Sequence, residues 1–319
     1  MKNKPILIVA GEPNSIFFEL FFKVVKKKIK SPIILIASKK LLLNQAKILK
    51  TRISFNITNE FDVIKNKNSL KKVNLIDIDF KQSCGFTKIS SKSNDYISNC
   101  FDTAIKLLKN NVSDKLINGP ISKKNFLKNK YNGITEYLAD KTNTKKFAMI
   151  IYNKNLSVCP LTTHLPIKHV SKKINKLEII NKVKLIDNFW KEKFNKKIKI
   201  GVTGLNPHCE SIDNFNEDKS IILPTIKKLK KLKYNIDGPF AADTIFLKNN
   251  RKKFDLVIGM YHDQVLTPIK TLFEYDAINI TIGLPFIRVS PDHGPNESML
   301  GKNKSNYLSL FNSIKFLDF

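Results

Sequence analysis

Apolar and polar positions divide the chain into short apolar runs separated by longer segments with helical spacing. The short runs, each of which predicts a buried strand, lie at 5–10, 32–37, 73–78, 115–118, 198–202 and 254–260. Helical spacing is clearest at 96–109, 179–190 and 218–232. Strands that alternate with helices in this way predict an α/β protein with a mostly parallel sheet and helices on both faces.

The apolar runs at 147–153 and 156–161 depart from this alternation because only Lys154 and Asn155 separate them. So short a connection predicts an antiparallel hairpin. A chain of 319 residues is long enough for two lobes, and we expect the hairpin to lie in the second.

The chain has no apolar run near the roughly 18 residues of a membrane helix. Its first apolar run is too short for a signal peptide and continues into Gly11-Glu12-Pro13, so it predicts a first strand. Four cysteines without a Cys-x-x-Cys pair are typical of a reducing compartment. We therefore expect a cytoplasmic protein.

The formal net charge of +29 raises the question of nucleic-acid binding. The lysines are spread along the whole chain, without interleaved aromatic residues, and the arginines are only Arg52, Arg251 and Arg288. A basic nucleic-acid-binding protein therefore stays a distant alternative, and we expect neither nucleic acid nor a membrane as a partner. So positive a surface favours an anionic small substrate.

Three of the five histidines follow predicted strands closely: His164, His208 and His262. In an α/β fold, side chains at strand ends converge on one crevice. Three neutral imidazoles that leave one coordination position open form a metal site of the catalytic kind. A single histidine after a strand more often caps or packs, but three in the same setting favour a metal. Imidazole ligands suit zinc or cobalt, whereas magnesium prefers oxygen.

Neither a Gly-x-Gly-x-x-Gly fingerprint nor a Walker sequence occurs in the chain. Five longer segments are nevertheless distinctive: Thr162-Thr-His-Leu-Pro-Ile-Lys, Gly204-Leu-Asn-Pro-His, Pro239-Phe-Ala-Ala-Asp-Thr, Met260-Tyr-His-Asp-Gln and Asn279-Ile-Thr-Ile-Gly-Leu-Pro-Phe-Ile-Arg. In this order the chain resembles the 4-hydroxythreonine-4-phosphate dehydrogenases of pyridoxal phosphate biosynthesis, from Gly11 to about Gly301.

The resemblance implies an isocitrate/isopropylmalate dehydrogenase-like α/β fold, in which two α/β/α lobes flank the active-site cleft. It explains an NAD enzyme without the glycine fingerprint. We place the first, cofactor-side lobe at 1–130 plus 280–319 and the second lobe, with the metal ligands and dimer interface, at 131–279. The family also implies a homodimer whose active sites are shared at the interface.

Residue by residue, the resemblance implies His164, His208 and His262 as metal ligands. The implied substrate contacts are Thr135, Lys270, Asn279 and Arg288, and the implied cofactor contacts are Asp292, His293 and Gly294. Asp243 and Asp263 are plausible carboxylates that orient the histidines. Asp263 is equally suited to a helix cap. For Lys270 alone, a solvated surface lysine is the simpler interpretation.

The implied reaction is the NAD- and metal-dependent oxidative decarboxylation of 4-phosphohydroxy-L-threonine to 3-amino-2-oxopropyl phosphate. We expect a lysine with a lowered pKa as general base, but the residues do not identify it. They also leave open whether the cofactor is NAD or NADP and whether the metal is zinc, cobalt or magnesium. Ile134 stands where the family has a substrate-binding histidine. A sister dehydrogenase acting on 4-phospho-D-threonate or D-erythronate is therefore the alternative.

Overall fold

The computed structural model describes residues 4–65, 69–127, 130–213 and 215–318. The chain divides into two units, the first made of Met1–Leu138 with Pro285–Phe319 and the second of Ala139–Leu284. The predicted boundaries after residues 130 and 279 lie slightly earlier, so Thr135 belongs to the first unit rather than the second.

The first unit is built on parallel strands. They are β1 (Ile6–Val9), β2 (Ile33–Ala37), β3 (Asn56–Thr58), β4 (Val73–Asp77), β5 (Lys115–Asn118) and β12 (Ile287–Pro291). They pair in the order β3-β4-β2-β1-β5-β12, and each pairing is parallel. Strands β1 and β2 are buried along their whole length, which explains why they are continuous apolar runs without polar alternation.

The helices of the first unit follow its strands. They are α1 (Phe17–Val24), α2 (Lys39–Ile48), α3 (Glu60–Ile64), α4 (Asn94–Lys109) and α12 (Leu308–Leu317), and α5 (Ile134–Lys141) begins there. Helix α4 buries an apolar face that includes Ile97 and Phe101. Asp95 in its first turn and Lys109 in its last complement the helix dipole, so charge and packing favour the same helix.

The second unit has a mixed sheet. Its strands are β6 (Ala148–Tyr152), β7 (Ser157–Thr162), β8 (Ile200–Thr203), β9 (Ile236–Phe240), β10 (Leu256–Tyr261) and β11 (Ile278–Ile282). They pair in the order β11-β6-β7-β10-β8-β9. Strands β7, β10, β8 and β9 run parallel, whereas β6 is antiparallel to both β7 and β11, so β6 and β7 form the predicted hairpin.

The helices of the second unit are α6 (Val170–Lys173), α7 (Lys176–Phe194), α8 (Leu223–Lys231), α9 (Ala242–Ile245), α10 (Lys248–Arg251) and α11 (His262–Phe273). Helix α11 packs Val265 and Ile269 into a core cluster with Val158 of β7 and Val257 of β10. This packing fixes the helix over the strands whose ends carry His164 and His262.

Two elements differ from the sequence-based expectation. A Gly-Pro pair such as Gly238-Pro239 predicts a turn or loop, but both residues belong to β9, which lies last in the strand order, where proline is tolerated. The largely apolar pattern from Asn279 to Arg288 predicts one strand and its exit. It forms β11 and β12, separated at Gly283, whose φ of +93° breaks the strand.

The four cysteines, Cys84, Cys100, Cys159 and Cys209, are free thiols in the structure. In the described part of the chain, no helix is both long enough and apolar enough to cross a membrane.

Candidate active site

The three predicted metal ligands follow three strands that are neighbours in the second unit's sheet. His164 lies two residues after β7, His262 directly after β10 and His208 five residues after β8. These strands are parallel and pair in the order β7-β10-β8. Their carboxyl ends therefore meet at one edge of the sheet, where α/β proteins bind ligands.

His164 and His262 lie side by side, with ring centroids 5.7 Å apart. The Nδ1 atom of His262 is 2.7 Å from the Asp263 carboxylate, which therefore orients the imidazole. With Nδ1 occupied in this way, Nε2 of His262 is the nitrogen available to a ligand. Asp263 also lies in the first turn of α11, where its charge suits the helix dipole, but the N-cap residue is Tyr261 and no side chain caps the helix, so Asp263 is not the helix cap.

His208 is exposed and lies in a short 3₁₀ turn, Pro207–Cys209. Among the residues that the structure describes, no three His, Cys, Asp or Glu side chains lie close enough together to hold a metal ion. The structure thus brings two of the three predicted ligands together, and His208 is not grouped with them.

Two of the three candidate ligands have an unusual backbone conformation. The φ angles of His164 and His208 are +50° and +54°, in the left-handed region that is uncommon for residues other than glycine. Such conformations cost free energy and are concentrated at functional sites. They are independent evidence that these two turns are shaped to present their side chains.

The loop that carries His208 is held by Asp218, a buried carboxylate. Asp218 accepts hydrogen bonds from the backbone N–H groups of Leu205 and Asn206, at 2.8 and 3.1 Å, and from the Asn206 side chain at 3.0 Å. Burial raises the pKa of the Cys209 thiol, and the negative charges of Asp218 and of Asp243, the other predicted orienting carboxylate, raise it further. Asp243 therefore lies near the His208 loop, and its side chain is exposed.

In the first unit, Arg288 is 1% exposed. Its Nε donates to Asn118 Oδ1 at 2.7 Å, and its Nη1 donates to Thr135 Oγ1 at 3.4 Å. Burial lowers the pKa of Arg288 to about 9, and the nearby Glu136 carboxylate opposes this shift. The guanidinium remains protonated at neutral pH and is the kind of buried cation that binds a phosphate or carboxylate.

Lys270 and Asn279 are the predicted substrate contacts of the second unit. Lys270 lies on α11 and is partly buried, and this burial lowers its pKa, so it is not an ordinary solvated lysine. The side-chain oxygen of Asn279, on β11, is buried and has no hydrogen-bond partner among the described residues. Buried polar atoms are almost always paired, so this oxygen is suited to receive a ligand's donor.

The predicted cofactor contacts lie in the loop after β12. The backbone N–H of Asp292 donates to Ser309 Oγ at 2.8 Å. His293 Nδ1 lies 3.0 Å from the Gly294 carbonyl, and burial lowers the pKa of this histidine, so its ring is neutral at physiological pH. Its Nε2 is buried without a partner among the described residues, and a Cβ at Gly294 would meet no atom within 4 Å.

The sequence did not assign roles to Asn118, Asp218 and Gln264, which hold the predicted site residues in place. Gln264 ends the Met260-Tyr-His-Asp-Gln motif and Asn118 ends a predicted strand, so a signal existed. That signal does not specify their partners Gly204 and Arg288, which come from distant segments of the chain. Asp218 lies ten residues after His208 in a segment without any motif.

Comparison with known proteins bears directly on this arrangement. Residues 28–317 match the family model described as pyridoxal phosphate biosynthetic protein PdxA. The chain belongs to this family. The predicted resemblance is thereby confirmed.

Two relatives illustrate the range of names in the family. The chain is 38% identical over 318 residues to 4-hydroxythreonine-4-phosphate dehydrogenase of Sulfurihydrogenibium sp. (strain YO3AOP1), covering 97% of this chain and 96% of the relative. It is 30% identical over 323 residues to a relative from Oceanobacillus iheyensis whose name proposes a D-threonate 4-phosphate dehydrogenase, covering 98% and 97%. The prediction that the protein is an oxidoreductase is confirmed.

Solved structures agree with these relationships. The crystal structure of 4-hydroxythreonine-4-phosphate dehydrogenase from Klebsiella pneumoniae is similar with a TM-score of 0.83 at 27% identity, covering 99% of this chain and 98% of that one. Isocitrate dehydrogenase from Methylococcus capsulatus, at 8% identity and a TM-score of 0.52, shares the fold alone, over 98% of this chain and 84% of that one. The predicted fold class is confirmed.

Proposed function

We propose that the protein catalyses the NAD-dependent, divalent-metal-dependent oxidation and decarboxylation of 4-phosphohydroxy-L-threonine. The products are 3-amino-2-oxopropyl phosphate, carbon dioxide and NADH, in the biosynthesis of pyridoxal 5′-phosphate. The observation that carries this proposal is the arrangement of His164, His262 and His208 after three adjacent parallel strands in a member of this family.

His164, His208 and His262 are the proposed ligands of the metal. The adjacent rings of His164 and His262, with the Asp263 carboxylate on His262, provide two imidazoles for a cation, and the His208 loop would have to bring the third to them. A divalent cation acts as a Lewis acid that lowers the pKa of a hydroxyl group and stabilises negative charge that develops during decarboxylation. The Asp263 carboxylate would stabilise the positive charge that a bound cation brings to the His262 imidazole, and it fixes the tautomer of this ring. The imidazole set favours zinc or cobalt over magnesium.

The anionic groups of the substrate require cations and donors. Arg288 supplies a planar cation held by Asn118 and Thr135, and its burial strengthens the attraction to an anion. Lys270 lies eight residues after His262 on the same helix, a rise of about 12 Å. We therefore assign Lys270 to an anionic group distant from the histidines rather than to proton abstraction. Asn279 offers its buried oxygen to a donor of the substrate.

Asp292, His293 and Gly294 are the proposed cofactor contacts. A nicotinamide cofactor supplies the hydride acceptor of the reaction. His293 is neutral and its buried Nε2 is an unused acceptor, which fits a hydroxyl or amino group of the adenosine moiety. The open space around the Gly294 Cα allows a ligand to approach the backbone closely.

We further propose a homodimer. Several apolar side chains of the second unit are exposed: Ile167, Leu177, Ile212, Phe215 and Leu247. The dimer itself is implied by the family, and an interface on the second unit would bury these side chains. Light scattering after size exclusion should give a dimer for the wild type and a monomer for Ile212→Asp with Phe215→Asp. Phe61→Asp, at an exposed phenylalanine of the first unit, is the matched control and should remain dimeric.

The decisive test is the formation of NADH from NAD and 4-phosphohydroxy-L-threonine, before and after removal of metal by a chelator. We expect turnover that is lost with the chelator and restored by zinc or cobalt. Turnover that is unaffected by complete metal removal contradicts the proposal.

Ile134 and the relative named for D-threonate 4-phosphate favour one alternative substrate class, 4-phospho-D-threonate or D-erythronate. Ile134 opens α5 directly before Thr135, a contact of Arg288, and it cannot donate a hydrogen bond to a phosphate. A comparison of kcat/KM for the two substrate classes decides between them. If kcat/KM is higher for the phosphosugar acid, that compound is the substrate instead of 4-phosphohydroxy-L-threonine. The proposal of a metal-dependent dehydrogenase is unaffected by this outcome.

A further inference from the structure

Gln264 connects the ends of two strands that carry candidate metal ligands. Its Nε2 donates to the carbonyl of Gly204, just after β8, at 2.7 Å. Its Oε1 accepts the backbone N–H of Met260, in β10, at 2.7 Å and the hydroxyl of Thr203, the last residue of β8, at 2.7 Å. One side chain therefore makes three hydrogen bonds across the exits of β8 and β10.

Thr162 extends this connection to the third strand. Its hydroxyl, at the end of β7, donates to the Met260 carbonyl at 2.8 Å. Met260 thus receives a bond at its carbonyl from the β7 side and donates its N–H to Gln264. The strand ends that lead to His164, His262 and His208 are joined by one continuous set of hydrogen bonds, through Thr162, Met260, Gln264 and the Thr203-Gly204 pair.

The pattern requires an amide at position 264. The oxygen must face two donors, Met260 N–H and the Thr203 hydroxyl, while the nitrogen must face an acceptor, the Gly204 carbonyl. Rotating the amide by half a turn would oppose N–H to N–H and oxygen to oxygen. The side chain is therefore held in one orientation, and a residue without both a donor and an acceptor leaves buried polar groups unpaired.

We propose that Gln264 is a positioning residue that sets the separation between the His262 turn and the loop carrying His208. The inference rests on the proposed function, because it assigns these histidines to cation binding. Asp218 holds the loop from Gly204 to His208 at Leu205 and Asn206, and Gln264 links the start of this loop to α11. Hydrogen bonds that orient metal ligands change metal affinity by about 10–100-fold when they are removed.

The test uses Co²⁺ titrated into the metal-free full-length protein, with visible absorption as the readout and with thermal unfolding measured in parallel. For Gln264→Met, a replacement of similar length, we expect the Co²⁺ dissociation constant to rise about 10–100-fold. The matched control is Gln45→Met. Gln45 is a buried glutamine of the first unit whose Nε2 donates to the carbonyls of Pro13 and Gly85 at 2.9 and 2.8 Å.

The control should lower the unfolding temperature without changing the Co²⁺ dissociation constant or spectrum. Thr203→Val, which removes one hydroxyl and nearly preserves shape, provides a second variant if Gln264→Met does not fold. It should weaken Co²⁺ binding less than Gln264→Met. If Gln264→Met folds and binds Co²⁺ as tightly as the wild type, the positioning role is wrong. If Gln264→Met does not fold, unchanged Co²⁺ affinity in folded Thr203→Val has the same meaning. A wild-type protein that binds no Co²⁺ contradicts the metal site itself, so the two failures are distinguishable.

Discussion

The buried arginine of the first unit and the exposed histidines of the second unit are organised in opposite ways. Arg288 is almost completely buried and already bonded to Asn118 and Thr135. His164 and His208 are exposed on strained turns, and the three candidate ligands do not form a group.

The difference follows from charge. A guanidinium is always ionised near neutral pH, so burial is tolerable only if the protein itself supplies hydrogen-bond partners. A neutral imidazole has no such requirement and tolerates exposure. The proposed anion site at Arg288 is therefore organised before any ligand binds, whereas the proposed cation site depends on the geometry of its loops.

The largest effect is expected for His164→Ala and His208→Ala. Removal of one of three imidazoles should weaken divalent-metal binding by more than about 100-fold and abolish turnover, since even partners that only orient ligands are worth about 10–100-fold. Elemental analysis and NADH formation measure the two effects, and circular dichroism confirms the fold. Loss of metal in His164→Ala but full retention in His208→Ala would show that the structure's ungrouped His208 is not a ligand.

A smaller but clear effect is expected for Arg288→Lys. A lysine ammonium cannot donate to Asn118 and Thr135 in the fork geometry that also presents donors to an anion, so substrate recognition should lose about 1.5–3 kcal/mol. The measured quantity is kcat/KM for the phosphorylated substrate. Arg52→Lys, an exposed arginine in the same unit, is the control and should behave as the wild type. If kcat/KM is the same for Arg288→Lys and Arg52→Lys, Arg288 is not a substrate contact.

The pH dependence of substrate binding should reveal Lys270. Its ammonium attracts an anion only while protonated, and burial lowers its pKa below the ordinary value of about 10.4. Affinity is therefore present at neutral pH and is lost as pH rises through the lowered pKa. The ratio of KM in the wild type to KM in Lys270→Arg, which stays charged, isolates this group because the substrate titrates equally in both. A ratio that is flat up to pH 10 argues against Lys270 as an anion contact.

The smallest effect is expected for Ile134→His. A histidine next to Thr135 restores one donor toward the phosphate, worth about 0.5–1.5 kcal/mol as a single hydrogen bond. KM for 4-phosphohydroxy-L-threonine should fall accordingly, and KM for NAD should not change. A rise in the substrate KM would instead indicate that the pocket is built around an apolar wall at Ile134, which favours the phosphosugar-acid alternative.

Much of the fold was predictable because the strands are buried and continuous. Strand β5 (Lys115–Asn118) was predicted with its observed bounds, and helix α4 was predicted within two residues of its start. The break at Gly283 was missed because the apolar pattern continues across it. A Cβ there would lie 2.4 Å from the Lys146 carbonyl, a contact with a segment far away in the sequence.

The sequence by itself determined the family, the fold class and the residue types that bear the chemistry. Local motifs carry this information because a strand end, a histidine and a turn are neighbours along the chain. Only the tertiary structure decided that His164 and His262 lie together, that Arg288 is buried against Asn118, and that Gln264 joins the exits of β8 and β10. These relationships depend on strand order and on packing between distant segments, which no local pattern specifies.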